Sequence, residues 1–263
     1  MIRRLIAGAA LALMLLAILP GRANAQFPPP DVPPLTDADR AAAFPDVPGH
    51  EAHDNSVNYQ VLFDRFEWQR ASGTNDLGWD NTSWVGKDLS RLWLRTEGHT
   101  EDGAVADAQA QLLVGHSFAR WWDVVAGVRQ DVRPGSPQTW AAVGIQGLAP
   151  YWFAIEATGY VGASGRTHAK VDVEYELLVT NRLVLQPLVE VDMYGKRDPE
   201  RRVGAGLSSV GAGLRLRYEF MRELAPYFGL TWDQKFGETG DFAKADGQGI
   251  RSLKFATGIR WWF

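Results

Sequence analysis

From Tyr59 to Phe263, apolar and charged residues alternate with a period of two, in stretches of ten to fourteen residues. In residues 166–179, His168, Lys170, Asp172, Glu174 and Glu176 share one parity, and Ala169, Val171, Val173, Tyr175, Leu177 and Val179 share the other. Successive side chains of a strand point to opposite faces, so this segment is a strand with one charged and one apolar face. The same pattern recurs near 59–69, 77–86, 90–99, 104–117, 122–133, 138–147, 151–162, 183–195, 207–220, 225–236 and 250–263. That makes twelve predicted strands, or ten if 77–86, diluted by Gly78 and Gly86, is dropped with a neighbour. Strands of soluble sheets run to about 5–6 residues. A tilted strand that crosses a bilayer needs roughly 9–11.

The connections alternate in length. Thr180-Asn181-Arg182 and Met221-Arg222-Glu223 are tight, whereas 195–206 and 237–249 are long and polar. Short turns at one end and long loops at the other mark an outer-membrane barrel with both termini on the short-turn, periplasmic side. The 11 tryptophans and other aromatics fall into two bands. Tyr59, Phe118, Trp121, Tyr151, Phe220, Tyr227 and Trp261 lie near the short turns, and Trp68, Trp79, Trp140 and Trp232 near the long loops, as two interfacial girdles require. A soluble sandwich or lipocalin-like barrel also alternates, with its apolar face inward. Strand length, the terminal Phe263 and a secretory leader decide for lipid outside. The expected fold is an all-β, antiparallel, up-and-down transmembrane β-barrel of about 12 strands.

Residues 1–25 read as a signal peptide: Arg3 and Arg4, an apolar run from Leu5 to Leu19, and the small-x-small sequence Ala23-Asn24-Ala25. Residues 26–57 hold seven prolines, which exclude helix interiors and sheet ladders, so a disordered periplasmic arm is expected there. Within it, Thr36 is placed to cap one short helical turn. Residues 58–263 form the barrel. The chain has no cysteine, which excludes disulfides, thiolate metal sites and a cysteine nucleophile. Its formal net charge of −4 speaks against nucleic acid as a partner.

Charged side chains are costly in lipid, so the charged parity must line the lumen. The acids expected there include Asp64, Asp80, Asp107, Asp131, Glu156, Asp172, Glu174, Glu190 and Asp192, and the bases Arg91, Arg95, Arg129, Lys170, Arg215, Arg217, Lys254 and Arg260. Near-balanced signs in a narrow lumen predict cross-strand ion pairs rather than an open pore. No enzyme is expected: His116 beside Ser117 sits on the lipid parity at the periplasmic end, with no third residue to orient it.

Five stretches resemble the copper resistance protein B family of outer-membrane proteins. They are Leu62–Trp68, Arg91–Gly98, Trp140–Phe153, Tyr175–Pro187 and the run from Gly206 to Glu219. The resemblance implies an outer-membrane barrel of copper tolerance, with copper ions and membrane lipid as partners, and a periplasmic multicopper oxidase as a further partner that would dock on the arm. A passive small pore is the competing reading. Members of the family often carry Met- and His-rich repeats before the barrel. Here the only methionines after the signal are Met193 and Met221, neither in the arm, so a thioether store for Cu(I) is not expected.

Copper would instead be met by nitrogen and oxygen. His50, Glu51, His53 and Asp54 place two imidazoles and two carboxylates within five residues, a donor set suited to Cu(II). His99 and His168 lie near the outer ends of their strands, each with carboxylates close in sequence, and form a second candidate if those ends converge.

Overall fold

A computed structural model describes residues 33–43, 56–71, 74–101 and 103–263. The predicted signal peptide and most of the predicted arm, including His50, Glu51, His53 and Asp54, lie outside the described residues. One helix, α1 (Asp37–Ala43), stands in the arm. Thr36 caps it as predicted: its Oγ1 accepts from the Asp39 amide at 3.2 Å, and Asp39 accepts from the Thr36 amide at 2.9 Å.

The remaining chain is an antiparallel barrel. Its strands are β1 (Asn58–Ala71), β2 (Thr74–Gly86), β3 (Ser90–Glu101), β4 (Ala104–Ala119), β5 (Trp122–Arg133), β6 (Gln138–Ala149) and β7 (Phe153–Gly162). They continue with β8 (Thr167–Glu174), β9 (Leu177–Leu178), β10 (Leu183–Tyr194), β11 (Gly206–Tyr218), β12 (Leu224–Lys235) and β13 (Arg251–Trp262). Both β8 and β9 pair with β10 and are two pieces of one stave, so the wall has twelve staves. The break falls opposite Pro187, which has no amide to give the ladder. Each stave pairs with the next in sequence, and β13 pairs back onto β1. Val61 and Phe263 exchange both backbone hydrogen bonds, at 2.9 and 3.0 Å, and help close the ring. Twelve staves, not ten, are present. The segment diluted by glycine is a full strand, and a Cβ at Gly86 would sit 2.3 Å from the Ser90 carbonyl where the β2–β3 turn closes.

At about 3.3 Å per residue and a tilt near 40°, a twelve-residue strand such as β3 covers roughly 30 Å, the thickness of a bilayer's hydrocarbon. The outer face is apolar: Phe228 and Phe255 are 73% and 68% exposed. The inner face buries charge: Glu67, Arg215 and Arg217 are 3%, 3% and 1% exposed. A soluble barrel has the opposite polarity, which removes that alternative.

The lumen is not uniformly charged. Trp93, Leu113, Val125, Trp140, Ala142 and Tyr160 pack into an apolar cluster contributed by β3 to β7. Trp140, expected in the outer girdle, is instead buried there and donates its Nε1–H to Asp131 at 2.8 Å. Tyr227, expected in the periplasmic girdle, likewise turns inward and donates to Glu67 at 2.8 Å. Both stand on the lumen parity of their strands, and parity outweighs their nearness to a strand end.

The predicted polar loop 237–249 contains a helix, α2 (Gly237–Ala245). Tertiary contacts hold it: Thr239 Oγ1 accepts from the Gly204 amide at 2.8 Å and is 2.9 Å from Ser208 Oγ.

Candidate functional site

A β-bulge shapes the lumen. On the β13 side, Phe63 pairs with Trp261 and Phe66 with Ile259, so Asp64 and Arg65 together face the single residue Arg260. On the β2 side, Phe63 pairs with Asn81 and Arg65 with Asp80, leaving Asp64 as the extra residue. One extra residue resets the parity of everything after it. Asp64, Arg65 and Glu67 therefore all point inward, while Phe66 and Trp68 face outward. Asn81 donates to the Leu62 carbonyl at 3.0 Å beside the bulge.

Arg65 and Glu67 do not belong to the lumen by uninterrupted alternation. The adjacent charges Asp64-Arg65 are the one local sign that it breaks there.

These side chains tie distant staves together at the barrel's waist. Arg65 donates to Asp80 on β2 and to Glu190 on β10, the latter at 3.2 and 3.1 Å from two nitrogens. Lys170 on β8 donates to Glu97 on β3 at 2.7 Å. Arg95 pairs with Glu156 at 2.7 Å, and Arg260 donates to Asp64 at 2.9 Å. Beside them, Arg215 and Tyr227 close on Glu67.

Between these struts lies a cavity of about 250 Å³. Asp64, Asp80, Glu97, Glu156, Asp172, Glu174 and Glu190 line it, against the bases Arg65, Arg95, Lys170 and Arg260. Three of the acids form a row. Glu156 stands directly opposite Asp172 across the β7–β8 ladder, and Asp172 directly opposite Glu190 across β8–β10. Like charges in such positions repel, and a cation relieves them. Arg95 and Arg65 answer the two outer members. Asp172 Oδ1 receives no hydrogen bond and lies 3.8 Å from Lys170 Nζ.

The predicted histidines have separate surroundings. The His168 ring is stacked between Tyr160 and Tyr194, with centroids 5.0 and 4.2 Å away. Its Nδ1 is 3.0 Å from Arg129 Nη1 and its Nε2 is 2.9 Å from Asp192 Oδ1. A guanidinium only donates, so Nδ1 accepts and Nε2–H donates, which specifies the neutral Nε2–H tautomer. Both ring nitrogens are engaged. His99 is 41% exposed at the long-loop end of the barrel, with Glu101 3.8 Å away and Asp107 opposite it on β4. Among the described residues, no three His, Asp or Glu side chains converge as a ready metal cage. The waist offers a field of carboxylates instead.

The long loops are latched over the strand ends. Asp198, 4% exposed, pairs with Arg166 at 3.1 Å and Arg201 at 3.4 Å. Arg201 also donates to the Ser136 carbonyl. The Ser136 amide and hydroxyl both donate to Glu200 at 2.7 Å and hold that carboxyl below its ordinary range.

A family model described as copper resistance protein B precursor (CopB) matches residues 57–263. Copper resistance protein B of Escherichia coli is 50% identical over 232 residues, covering 88% of this chain and 78% of that protein. The copper resistance protein B homolog of Pseudomonas syringae pv. tomato is 46% identical over 232 residues, covering 88% of this chain and 79% of that protein. Among solved structures, the NanC porin resembles the fold with a TM-score of 0.52 at 10% identity, over 78% of this chain and 99% of its own.

Proposed function

The chain belongs to the copper resistance protein B family, and on that premise we propose that its barrel handles copper at the outer membrane by accommodating Cu(II) among the waist carboxylates. The observation that carries this reading is the row Glu156, Asp172 and Glu190, in register across three staves and facing the cavity, with an Asp172 oxygen free of hydrogen bonds. Cu(II) accepts oxygen ligands readily. A path through a lumen needs sites that attract the ion without trapping it, which a field of carboxylates supplies better than a closed cage.

In this reading the arm lies in the periplasm, and His50, His53 and Asp54 form a second, stronger Cu(II) site at that end of the route. His99, with Glu101 beside it, stands at the outer mouth. His168 serves the wall rather than the metal. The lumen is acidic in balance but crossed by ion pairs, which favours selective handling over a passive pore.

The test is equilibrium dialysis of the signal-cleaved protein in detergent against Cu(II). It includes the His50→Ala/His53→Ala variant, an Asp172→Asn/Glu174→Gln variant and the combination of the four changes. The reading expects one tight site lost with the histidines and weaker binding lost with the carboxylates. Copper binding untouched in the combined variant, or none in the unaltered protein, overturns it.

A further inference from the structure

Two of the waist's cations act at a distance that their strands do not require. Lys170 and Glu97 stand on β8 and β3, five staves apart on a wall of twelve, so their contact runs nearly across the lumen. Arg65 reaches Glu190 four staves away while also holding its neighbour Asp80. Both basic side chains are short of solvent, at 12% and 15% exposure, and both border the central cavity. A local ion pair would have satisfied either charge: Asp172 is two residues from Lys170 on the same face, yet lies at 3.8 Å while Glu97 lies at 2.7 Å.

We propose that Lys170 and Arg65 are the gate of this barrel: tethered cations that close the waist by occupying the carboxylates a mobile cation would use. At rest the two struts fill the passage sterically and neutralise Glu97, Asp80 and Glu190. A small cation entering the cavity competes for the same oxygens. As a strut is released, its flexible side chain swings to the wall, and the passage widens on an acidic face. No backbone motion is needed, because Lys and Arg carry the change in their own rotamers. Closure and selectivity thus come from the same residues. Seven acids oppose four bases around the cavity with the struts counted, and removing the two strut charges leaves a strongly cation-attracting lumen. The gate rests on the waist alone and holds whether or not copper is the cargo.

The test is single-channel conductance of the full signal-cleaved protein in planar bilayers under a KCl gradient, so that no copper enters the measurement. Lys170→Met, Arg65→Gln, the double variant and Glu97→Gln are compared with the unaltered barrel. Each is first checked for folding by heat-modifiable mobility. The unaltered barrel is expected to be closed or nearly so. The double variant should conduct several-fold more, with a reversal potential shifted to the cation side. Glu97→Gln keeps every base but frees Lys170, and should open the barrel with weaker cation preference. Arg201→Ala, in the long loops, should leave conductance unchanged. Folded strut variants as silent as the unaltered protein overturn the proposal, as does opening by Arg201→Ala alone, which would place the closure in the loops. A steadily conducting, cation-selective unaltered barrel overturns it without any variant.

Discussion

Arg215 grips Glu67 with two hydrogen bonds, from Nε at 3.1 Å and from Nη2 at 3.0 Å, across 148 residues of sequence, and both side chains are only 3% exposed. Tyr227 completes the carboxylate from a third stave. Charges desolvated this far must be paired, because removing one partner leaves the other buried alone. Glu67→Ala is therefore expected to destabilise the barrel by about 3–5 kcal/mol. Glu67→Gln, which keeps an acceptor, is expected to cost about 1–3 kcal/mol. Urea unfolding in detergent, followed by tryptophan fluorescence, measures both. Equal loss in the two variants would mean that the charge facing Arg215, and not the shape or the acceptor that Gln retains, decides at this position.

The bulge predicts an unusual tolerance to deletion. Removing Asp64 takes out the extra residue and leaves Leu62, Arg65 and Glu67 inward, with Phe63 and Phe66 outward. The barrel should still assemble, at an expected cost of about 1–2 kcal/mol for the lost Asp64–Arg260 pair, whose members are each 19% exposed. Deleting Phe66 instead drives Glu67 to the lipid face, and folded barrel should be absent on heat-modifiability gels. Failure of both deletions would show that the bulge itself is needed for closure.

His168→Phe keeps an aromatic ring between Tyr160 and Tyr194 but leaves Arg129 and Asp192 each one partner short. Its expected cost is about 1–3 kcal/mol in thermal or urea unfolding. Cu(II) binding by dialysis should not change, because both imidazole nitrogens are already engaged in the wall. A loss of copper affinity in this variant would move the ring from scaffold to ligand.

The Ser136–Glu200 latch carries a pH signature. Hydrogen bonds from the Ser136 hydroxyl and amide depress the Glu200 carboxyl in the folded protein. A depressed folded pKa stabilises above the unfolded value, about 4.3, and that contribution is lost as pH falls through the folded value. The Ser136 amide should thus keep its protection from hydrogen exchange, corrected for intrinsic rate, down through the ordinary carboxylate range and lose it only below. Glu200→Gln should lower that protection at pH 7 and remove its acid-dependent loss. Protection lost at an ordinary carboxylate pH would rule out the latch.

Much of this architecture is a local property of the chain. Period-2 alternation is written residue by residue, so the strands, their two faces and the barrel follow from segments such as 166–179 without knowledge of any partner. The tight turn at Thr180-Asn181-Arg182 and the Thr36 cap are equally local. The sequence by itself therefore determined which residues form staves and, outside the bulge, which side of each stave carries charge.

The tertiary structure decided what those charges do. A single extra residue at Asp64 reverses parity: uninterrupted alternation would leave Asp64 on the face of Phe66 and Trp68, and only the paired ladders of β2 and β13 fix where the extra residue sits. The partners of Arg215 and Lys170 lie 148 and 73 residues away in sequence and meet only once the sheet has closed. Whether His168 is a free ligand or a locked wall residue depended on Arg129 and Asp192, which arrive from two other staves. Periodicity is encoded in neighbours along the chain, whereas pairing across a lumen is encoded only in the closed ring.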